Sequence, residues 1–134
     1  MRKMMAAACM VTMTTALSAG TMATAAETKV TPLMARDLVG SPGKETTMIT
    51  VEYPPGWSSS PHRHDAQTFV YVLEGSVVMA VQGGKEVTLG PGETFYESPD
   101  DVHSVSRNAS TTKAAKFLVF MVKDKDKPAS TPVK

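Results

Sequence analysis

From Thr46 onwards the sequence is divided into short segments rich in Val, Thr, Phe and Tyr, which are separated by Pro and Gly. No window in this region has the period of an amphipathic helix, whereas the segment lengths are typical of strands. Gly83 and Gly84 lie between two alternating segments, a pattern typical of a two-residue hairpin. The sequence therefore predicts an all-β sandwich or small barrel, with strands at residues 46–53, 68–73, 77–82, 86–89, 94–97, 103–107 and 114–122.

Residues 1–26 are predicted to be a signal peptide and not part of the fold. Arg2 and Lys3 give a basic start, residues 4–17 are mostly apolar or small, and Ala23-Thr24-Ala25 has the pattern that signal peptidases cut. The alternative is an uncleaved membrane anchor, but the apolar stretch is interrupted by hydroxyl side chains and is shorter than the roughly 20 residues that span a bilayer. We expect cleavage after Ala25 or Ala26, which leaves a periplasmic or secreted protein without a stable membrane anchor.

The composition restricts the partners of the chain. It has 14 Lys and Arg against 13 Asp and Glu, and this near-neutral balance disfavours nucleic acid or an anionic membrane as a partner. Its one cysteine, Cys9, leaves with the signal peptide, so the exported domain has no disulfide. A domain of this size then depends on a closed core, a metal ion or an oligomer, which favours a homodimer.

The exported chain is predicted to be one domain with two flanking segments. Residues 27–45 are mixed in character and are expected to form an N-terminal arm that packs on the barrel or on a second subunit. Residues 46–123 are expected to form the barrel itself. Residues 124–134 are charged and contain Pro, so they are expected to form a solvated C-terminal tail.

The three histidines of the chain are arranged as in a metal site. His62 and His64 are separated by one residue, so on an extended chain they leave the same face with their β-carbons about 7 Å apart. Two imidazoles at that spacing can bind one ion at about 2.0–2.1 Å each, and His103 is the remaining histidine. The alternative is that these are solvated side chains with no shared role.

Two segments of the sequence resemble the motifs of the cupin family. In PPGWSSSPHRHDAQTFVYVLEGSV the residues Gly56, His62, His64 and Gly75 have the spacing of the first cupin motif. The second motif is matched more loosely by GPGETFYESPDDVHSVSRNAS, through Gly92, Pro99, His103 and Asn108, with Asp101 where Gly is usual. The resemblance covers about residues 46–122 and implies a jelly-roll β-barrel, a double-stranded β-helix. It also implies that His62, His64 and His103 bind one divalent ion, which is Fe, Mn, Ni, Cu or Zn.

The chain departs from the first motif at Thr68, which stands where cupins have a glutamate ligand, and a hydroxyl is a poor ligand for a divalent ion. One replacement is the amide oxygen of Gln67. Another is Glu97, which shares a strand face with Phe95 and would need a partner inside a barrel. The alternatives are that Gln67 is a solvated turn residue, that a bulge before Pro99 turns Glu97 outward, and that water is the fourth ligand.

Two classes of function agree with these features. The resemblance implies a metal-dependent, dioxygenase-like enzyme acting on a small organic substrate, with Glu97 or Gln67 tuning the ion or removing a proton. The alternative is a non-catalytic exported module that holds a metal or a small ligand in the same cavity. The sequence has no Gly-x-Ser-x-Gly motif, so a serine hydrolase of that type is disfavoured.

Overall fold

The computed structural model describes residues 26–133, and within this range the chain forms ten β-strands and no helix. The strands are β1 (Lys29–Asp37), β2 (Lys44–Tyr53), β3 (His62–Arg63), β4 (Ala66–Glu74), β5 (Val77–Val81), β6 (Val87–Leu89), β7 (Thr94–Glu97), β8 (His103–Asn108), β9 (Ala115–Asp124) and β10 (Thr131–Pro132). They make two five-stranded antiparallel sheets, ordered β1-β2-β9-β4-β7 and β10-β3-β8-β5-β6. This architecture confirms the predicted all-β jelly roll. No helix long and apolar enough to cross a membrane occurs in the described range.

The core lies between the two sheets and follows from the alternation of side chains along the strands. In β9 the residues Ala115, Phe117, Val119 and Met121 are buried, and the residues between them are only partly buried. The neighbouring β4 alternates in the same way, and Val70 pairs directly with Val119. Successive side chains of a strand point to opposite faces, so these two strands supply most of one inner wall.

The predicted N-terminal arm contains β1, a nine-residue strand. It pairs with β2 over almost its whole length, from Lys29 opposite Glu52 to Asp37 opposite Glu45, and forms the edge of the first sheet. Nearly all of its side chains are exposed, so its sequence lacks the alternation that marks a half-buried strand. The arm packs on the barrel as an edge strand.

The C-terminal residues differ from the solvated tail that the sequence predicts. Their side chains are mostly exposed, but Thr131 and Pro132 form β10 and pair with Arg63 and His62 of β3. The turn that leads to β10 is held by Lys123, whose buried Nζ donates a hydrogen bond to the carbonyl of Lys127 at 2.7 Å. Charge and Pro content predict solvation of side chains, but they do not predict backbone pairing of this kind.

Gly75, which belongs to the first cupin motif, is required by the turn between β4 and β5. Its φ is +71°, a conformation that side-chain-bearing residues rarely adopt. A Cβ at this position would lie 2.5 Å from the carbonyl oxygen of Ala114. The glycine therefore permits the close approach of β4 to the start of β9.

Candidate metal centre

The fold brings the three histidines together inside one end of the barrel. His62 of β3 pairs directly with His103 of β8, and His64 follows β3 by one residue. One ring nitrogen from each of the three lies within 4.8 Å of the others. His103 is buried and the other two are half-buried. Arg63, between them, bonds instead to the carbonyl of Asp100 at 2.9 Å, so alternation along the chain separates it from the cluster.

Two of the imidazoles are held in a defined tautomer by backbone carbonyls. Nδ1–H of His62 donates to the carbonyl of Ser60 at 2.9 Å, and Nδ1–H of His64 donates to the carbonyl of Ala129 at 2.7 Å. A carbonyl can only accept, so Nδ1 carries the proton in each ring and Nε2 keeps its lone pair. Metal-binding histidines in proteins are typically oriented by bonds of this type.

Glu97 of β7 points into the barrel beside the histidines. Its side chain is 2% exposed. Its Oε1 lies 3.0 Å from Nδ1 of His103 and its Oε2 lies 3.4 Å from Nε2 of His64. Phe95, two residues earlier in β7, stacks on the ring of His103 with ring centroids 5.8 Å apart. Phe95 and Glu97 both contact His103, as expected for two residues that share a strand face. No bulge turns Glu97 outward.

The buried groups of the cluster have strongly shifted acidities. Burial raises the pKa of Glu97 to about 8, and the nearby charge of Asp101 adds to the rise. Burial, together with the neighbouring His62 and His64, lowers the pKa of His103 to about 3. Burial also lowers the pKa of His64. In the absence of a bound cation, the side chains of Glu97 and His103 are therefore both uncharged near pH 7.

The donor set fits a divalent cation. Neither oxygen of Glu97 and neither ring nitrogen of His103 has a hydrogen-bond partner among the described residues, because the 3.0 Å contact between them is not aligned as a hydrogen bond. Buried polar atoms are rarely left without partners. The lone pair of His64 Nε2 also faces a carboxyl oxygen, an arrangement that requires a proton or a cation between the two atoms. A cation held by imidazole nitrogens and a carboxylate would satisfy all of these atoms.

Of the two residues proposed in place of the missing glutamate, the structure brings one to the cluster. Gln67 is exposed on the outer face of β4, because its neighbours Ala66 and Thr68 occupy the inner face. Thr68 is fully buried, and its hydroxyl donates to the carbonyl of Ala66 at 3.4 Å. Thr68 also pairs directly with Glu97 across the β4–β7 ladder. The structure therefore places a carboxylate one strand away from its usual position in the cupin motif.

A cavity of about 320 Å³ extends from the histidines into the barrel. Most of its inner wall is apolar, and Trp57 and Tyr53 pack together in the wall with ring centroids 4.2 Å apart. The hydroxyls of Tyr53 and Ser106 share a hydrogen bond of 2.7 Å. Trp57 thus lines the cavity. The apolar lining residues include Val30, Ile49, Val51, Val70, Met79, Phe117, Val119 and Met121.

Four contributors to this site lie outside the sequence prediction. Tyr53 and Ser106 alternate with other inward-facing residues, so the strand pattern could have placed them inside the barrel. The carbonyls of Ser60 and Ala129 are backbone groups, and no residue type marks them in the sequence. Ala129 reaches His64 from 65 residues away, through the backbone pairing of β10.

The sequence between residues 49 and 121 matches the family model described as the cupin domain. The chain therefore belongs to the cupin family, in agreement with the resemblance of its two motifs. No curated protein sequence matches the chain.

Solved structures with the same fold include several proteins described as enzymes. An oxalate oxidase in complex with the substrate analogue glycolate has a TM-score of 0.59 and 24% identity, and the match covers 79% of this chain and 55% of that protein. The DMSP lyase DddQ from Ruegeria pomeroyi has a TM-score of 0.58 and 20% identity over 66% of this chain and 43% of the lyase. The protein TT1209 from Thermus thermophilus has a TM-score of 0.58 and 24% identity, and the match covers 72% of this chain and 84% of TT1209. The chain thus spans about half the length of the two enzymes, and the likeness establishes the fold.

Proposed function

We propose that this protein is an exported cupin that binds one divalent metal ion through His62, His64 and His103, with Glu97 as the accompanying carboxylate. The observation that carries the proposal is the buried Glu97 carboxyl, which faces two imidazoles without a hydrogen-bond partner. A buried carboxylate without a compensating charge costs several kcal/mol. A divalent ion supplies that charge and uses the nitrogen lone pairs as well.

The most specific form of the proposal is a dioxygenase-like enzyme that acts on a small organic substrate. When bound, the ion supplies a Lewis-acid centre with open positions for small ligands. The protein contributes the orientation of His62 and His64 through their Nδ1–H bonds and an apolar wall that excludes water. Glu97 is the group placed to hold or accept a proton at its carboxyl oxygens. The oxalate oxidase and the DMSP lyase support an assignment to small organic substrates.

A non-catalytic binding module is the second candidate, and one observation favours it. Among the described residues that line the cavity, the ionisable side chains are the three histidines, Glu97 and Tyr53. Burial raises the pKa of Tyr53 to about 12, so its hydroxyl is not a base near neutral pH. If Glu97 is committed to the ion, few groups remain for proton transfer.

Elemental analysis of the protein purified from its own export compartment tests the metal site. We expect about one equivalent of a divalent ion per chain, and a loss of tenfold or more in His62→Ala, His64→Ala and His103→Ala. Arg63→Ala is the matched control, because Arg63 lies between two of the ligands but bonds to Asp100. Full stoichiometry in all three histidine variants would contradict the assignment. A redox-active ion favours the enzyme, and an empty site in the wild-type protein favours the module.

Intact-mass measurement of the same sample tests the proposed export. The expected amino terminus is Ala26 or Glu27, because the basic start, the apolar stretch and the Ala-x-Ala motif occur in the order of a cleaved signal. A mass that retains residues 1–25 would overturn the proposal of a cleaved signal peptide. Those residues lie outside the described part of the structure.

A further inference from the structure

The cavity beside the histidines has a chemistry that selects among small ligands. Its volume of about 320 Å³ is roughly twice that of an apolar protein cavity known to take up benzene, about 150 Å³. It therefore has room for a molecule with a body of one or two rings. The exposed residues Val30, Ser60, Ala129, Ser130 and Pro132 also line it, so the cavity opens to the surface between β1 and the C-terminal segment.

The distribution of charge restricts the ligand further. No Lys or Arg lies among the described residues that line the cavity. With neutral imidazoles, an ionised Glu97 and a divalent ion, the centre carries one net positive charge, and a ligand with one negative charge neutralises it. A second anionic group on the ligand would lie against the valines, methionines and Phe117 of the wall, where an unpaired charge is costly.

Several hydroxyl groups interrupt the apolar wall, and those of Thr28 and Ser59 have no hydrogen-bond partner among the described residues. Tyr53 and Ser106 have two hydroxyl hydrogens between them, and their mutual hydrogen bond uses one. The pair therefore keeps one hydroxyl hydrogen available to an uncharged acceptor on a ligand. It carries no positive charge that would favour a carboxylate.

We propose that the cavity takes a mostly apolar molecule of one or two rings that carries a single oxygen donor group of no more than one negative charge. This inference rests on the proposed metal site, because the donor group binds the ion while the apolar body fills the barrel. It distinguishes the chain from a receptor for small dicarboxylates.

Isothermal titration of zinc-loaded protein with three matched carboxylates tests the inference, after metal content has been measured in each sample. Benzoate has the predicted shape, terephthalate adds a second carboxylate to the same ring, and acetate lacks the ring. We expect benzoate to bind about tenfold or more tightly than either of the others, because only benzoate buries apolar surface without burying a second charge. Trp57, the single tryptophan of the chain, lines the cavity and should change its fluorescence on benzoate binding.

Two cavity variants complete the test. Val119→Phe adds bulk to the wall of the cavity and should weaken benzoate binding tenfold or more while zinc content stays at the wild-type level. Val51→Met is a smaller filling change on the neighbouring strand β2 and should act in the same direction if Val119→Phe does not fold. Equal or tighter binding of terephthalate, or unchanged benzoate affinity in the folded variant, would overturn the ligand class with the metal site intact. Protein that takes up no zinc would overturn the metal site and the inference that rests on it.

Discussion

The pairing of Thr68 with Glu97 explains how a cupin site can retain a carboxylate without the usual glutamate. The two residues are direct partners across the β4–β7 ladder, and both side chains are buried. Directly opposed side chains on one sheet face have β-carbons about 4.5–5.5 Å apart, so a long side chain from either strand reaches the same region. Glu97 thus occupies space that a glutamate at position 68 would otherwise enter.

The first prediction at the scale of residues concerns the ranking of these two positions. Glu97→Gln should lower metal affinity by about 10- to 100-fold, the loss typical when a supporting or ligating carboxylate is removed. Thr68→Ala should have little effect, because its hydroxyl bonds only to the carbonyl of Ala66 among the described residues. Competition with a chromogenic chelator measures both affinities.

Glu86→Gln is the matched control for this comparison, since Glu86 is an exposed acid that pairs with Arg107 on the surface. The opposite ranking, with Thr68 critical and Glu97 silent, would remove Glu97 from the site. Water would then be the remaining candidate for the fourth ligand, because Gln67 faces away from the histidines.

The second prediction concerns the pH dependence of the metal-free protein. The pKa of Glu97 is raised from 4.5 to about 8 in the folded state, so the fold holds a proton that the unfolded chain has already released. The stability that this proton provides is fully present below about pH 4.5 and is lost as the pH rises towards 8. We therefore expect the Tm of metal-free wild-type protein to fall relative to that of metal-free Glu97→Gln as the pH rises through this range.

Calorimetry of both proteins after dialysis against a chelator provides the measurement. The pKa of His103 is also shifted, to about 3, but His103 is present in both proteins, so its contribution largely cancels in the difference. A Tm difference that stays constant with pH would mean that Glu97 ionises in the fold as it does in the unfolded chain.

The sequence predicted the orientation of side chains on strands, where alternation applies. It did not predict the contacts that backbone carbonyls make with the histidines. The His-x-His spacing predicts two imidazoles on one face, and the position of Phe95 predicts that Glu97 points inward. The same alternation excludes Gln67 from the cluster of histidines. Gln67 is adjacent to Thr68, which stands at the position of the cupin glutamate, so the two side chains point to opposite faces of β4. The carbonyl of Ala129 has no such signal, because its position depends on tertiary pairing.

At the scale of elements, the C-terminal segment supports β3, the short strand that carries His62 and is followed directly by His64. β3 has only two residues and pairs with β8 at a single position, His62 with His103. β10 adds two further pairs, the hydroxyl of Thr131 donates to Asp65 at 3.3 Å, and the amide of Val133 donates to the carbonyl of Pro61 at 3.3 Å. A short strand with few partners of its own is thus held in place by the end of the chain.

The third prediction follows from this arrangement. A chain that ends at Lys127 keeps the carbonyl of Lys127, which accepts a hydrogen bond from Lys123. It loses the carbonyl of Ala129, which accepts from His64, and all of β10. Its metal affinity should fall by about 10- to 100-fold, because the tautomer and orientation of His64 are no longer fixed. A chain that ends at Val133 retains both features and serves as the control. Equal metal affinity in the two truncated proteins would show that the C-terminal segment does not orient His64.

The elements that the sequence missed share a physical reason. The predicted strands between residues 46 and 122 correspond to strands with alternating or buried faces, such as β4 and β9. β1 lies at an edge with its side chains exposed, while β3 and β10 have two residues each. Periodicity needs several residues with contrasting faces, so these three strands have too little pattern to be detected.

At the scale of the whole molecule, the outer face of the first sheet carries several exposed aromatic side chains. Phe69, Tyr71 and Tyr96 are each more than two-fifths exposed, and Phe69 contacts Tyr96 with ring centroids 5.1 Å apart. Exposed apolar patches of this kind often mark association surfaces. The expected homodimer agrees with this surface and stays a prediction, which light scattering in solution would test.

The last prediction concerns the contribution of the ion to the stability of the domain. The proposed ligands come from β3, the residue after it, β7 and β8, so a bound ion would connect strands of both sheets. An ion that binds the folded protein alone stabilises it by about 2.7 kcal/mol at a free concentration 100 times its Kd. For a domain of about 100 residues, this corresponds to a rise in Tm of about 10 °C or more.

Thermal unfolding with and without a chelator measures this effect, and the size of the shift should grow with metal concentration because binding obeys mass action. His62→Ala should have a lower Tm than the metal-loaded wild type and should show little dependence on the metal. Arg63→Ala, which leaves the three imidazoles unchanged, should retain the full metal-dependent shift. A wild-type Tm that does not respond to the metal would show that the ion does not bind selectively to the folded barrel.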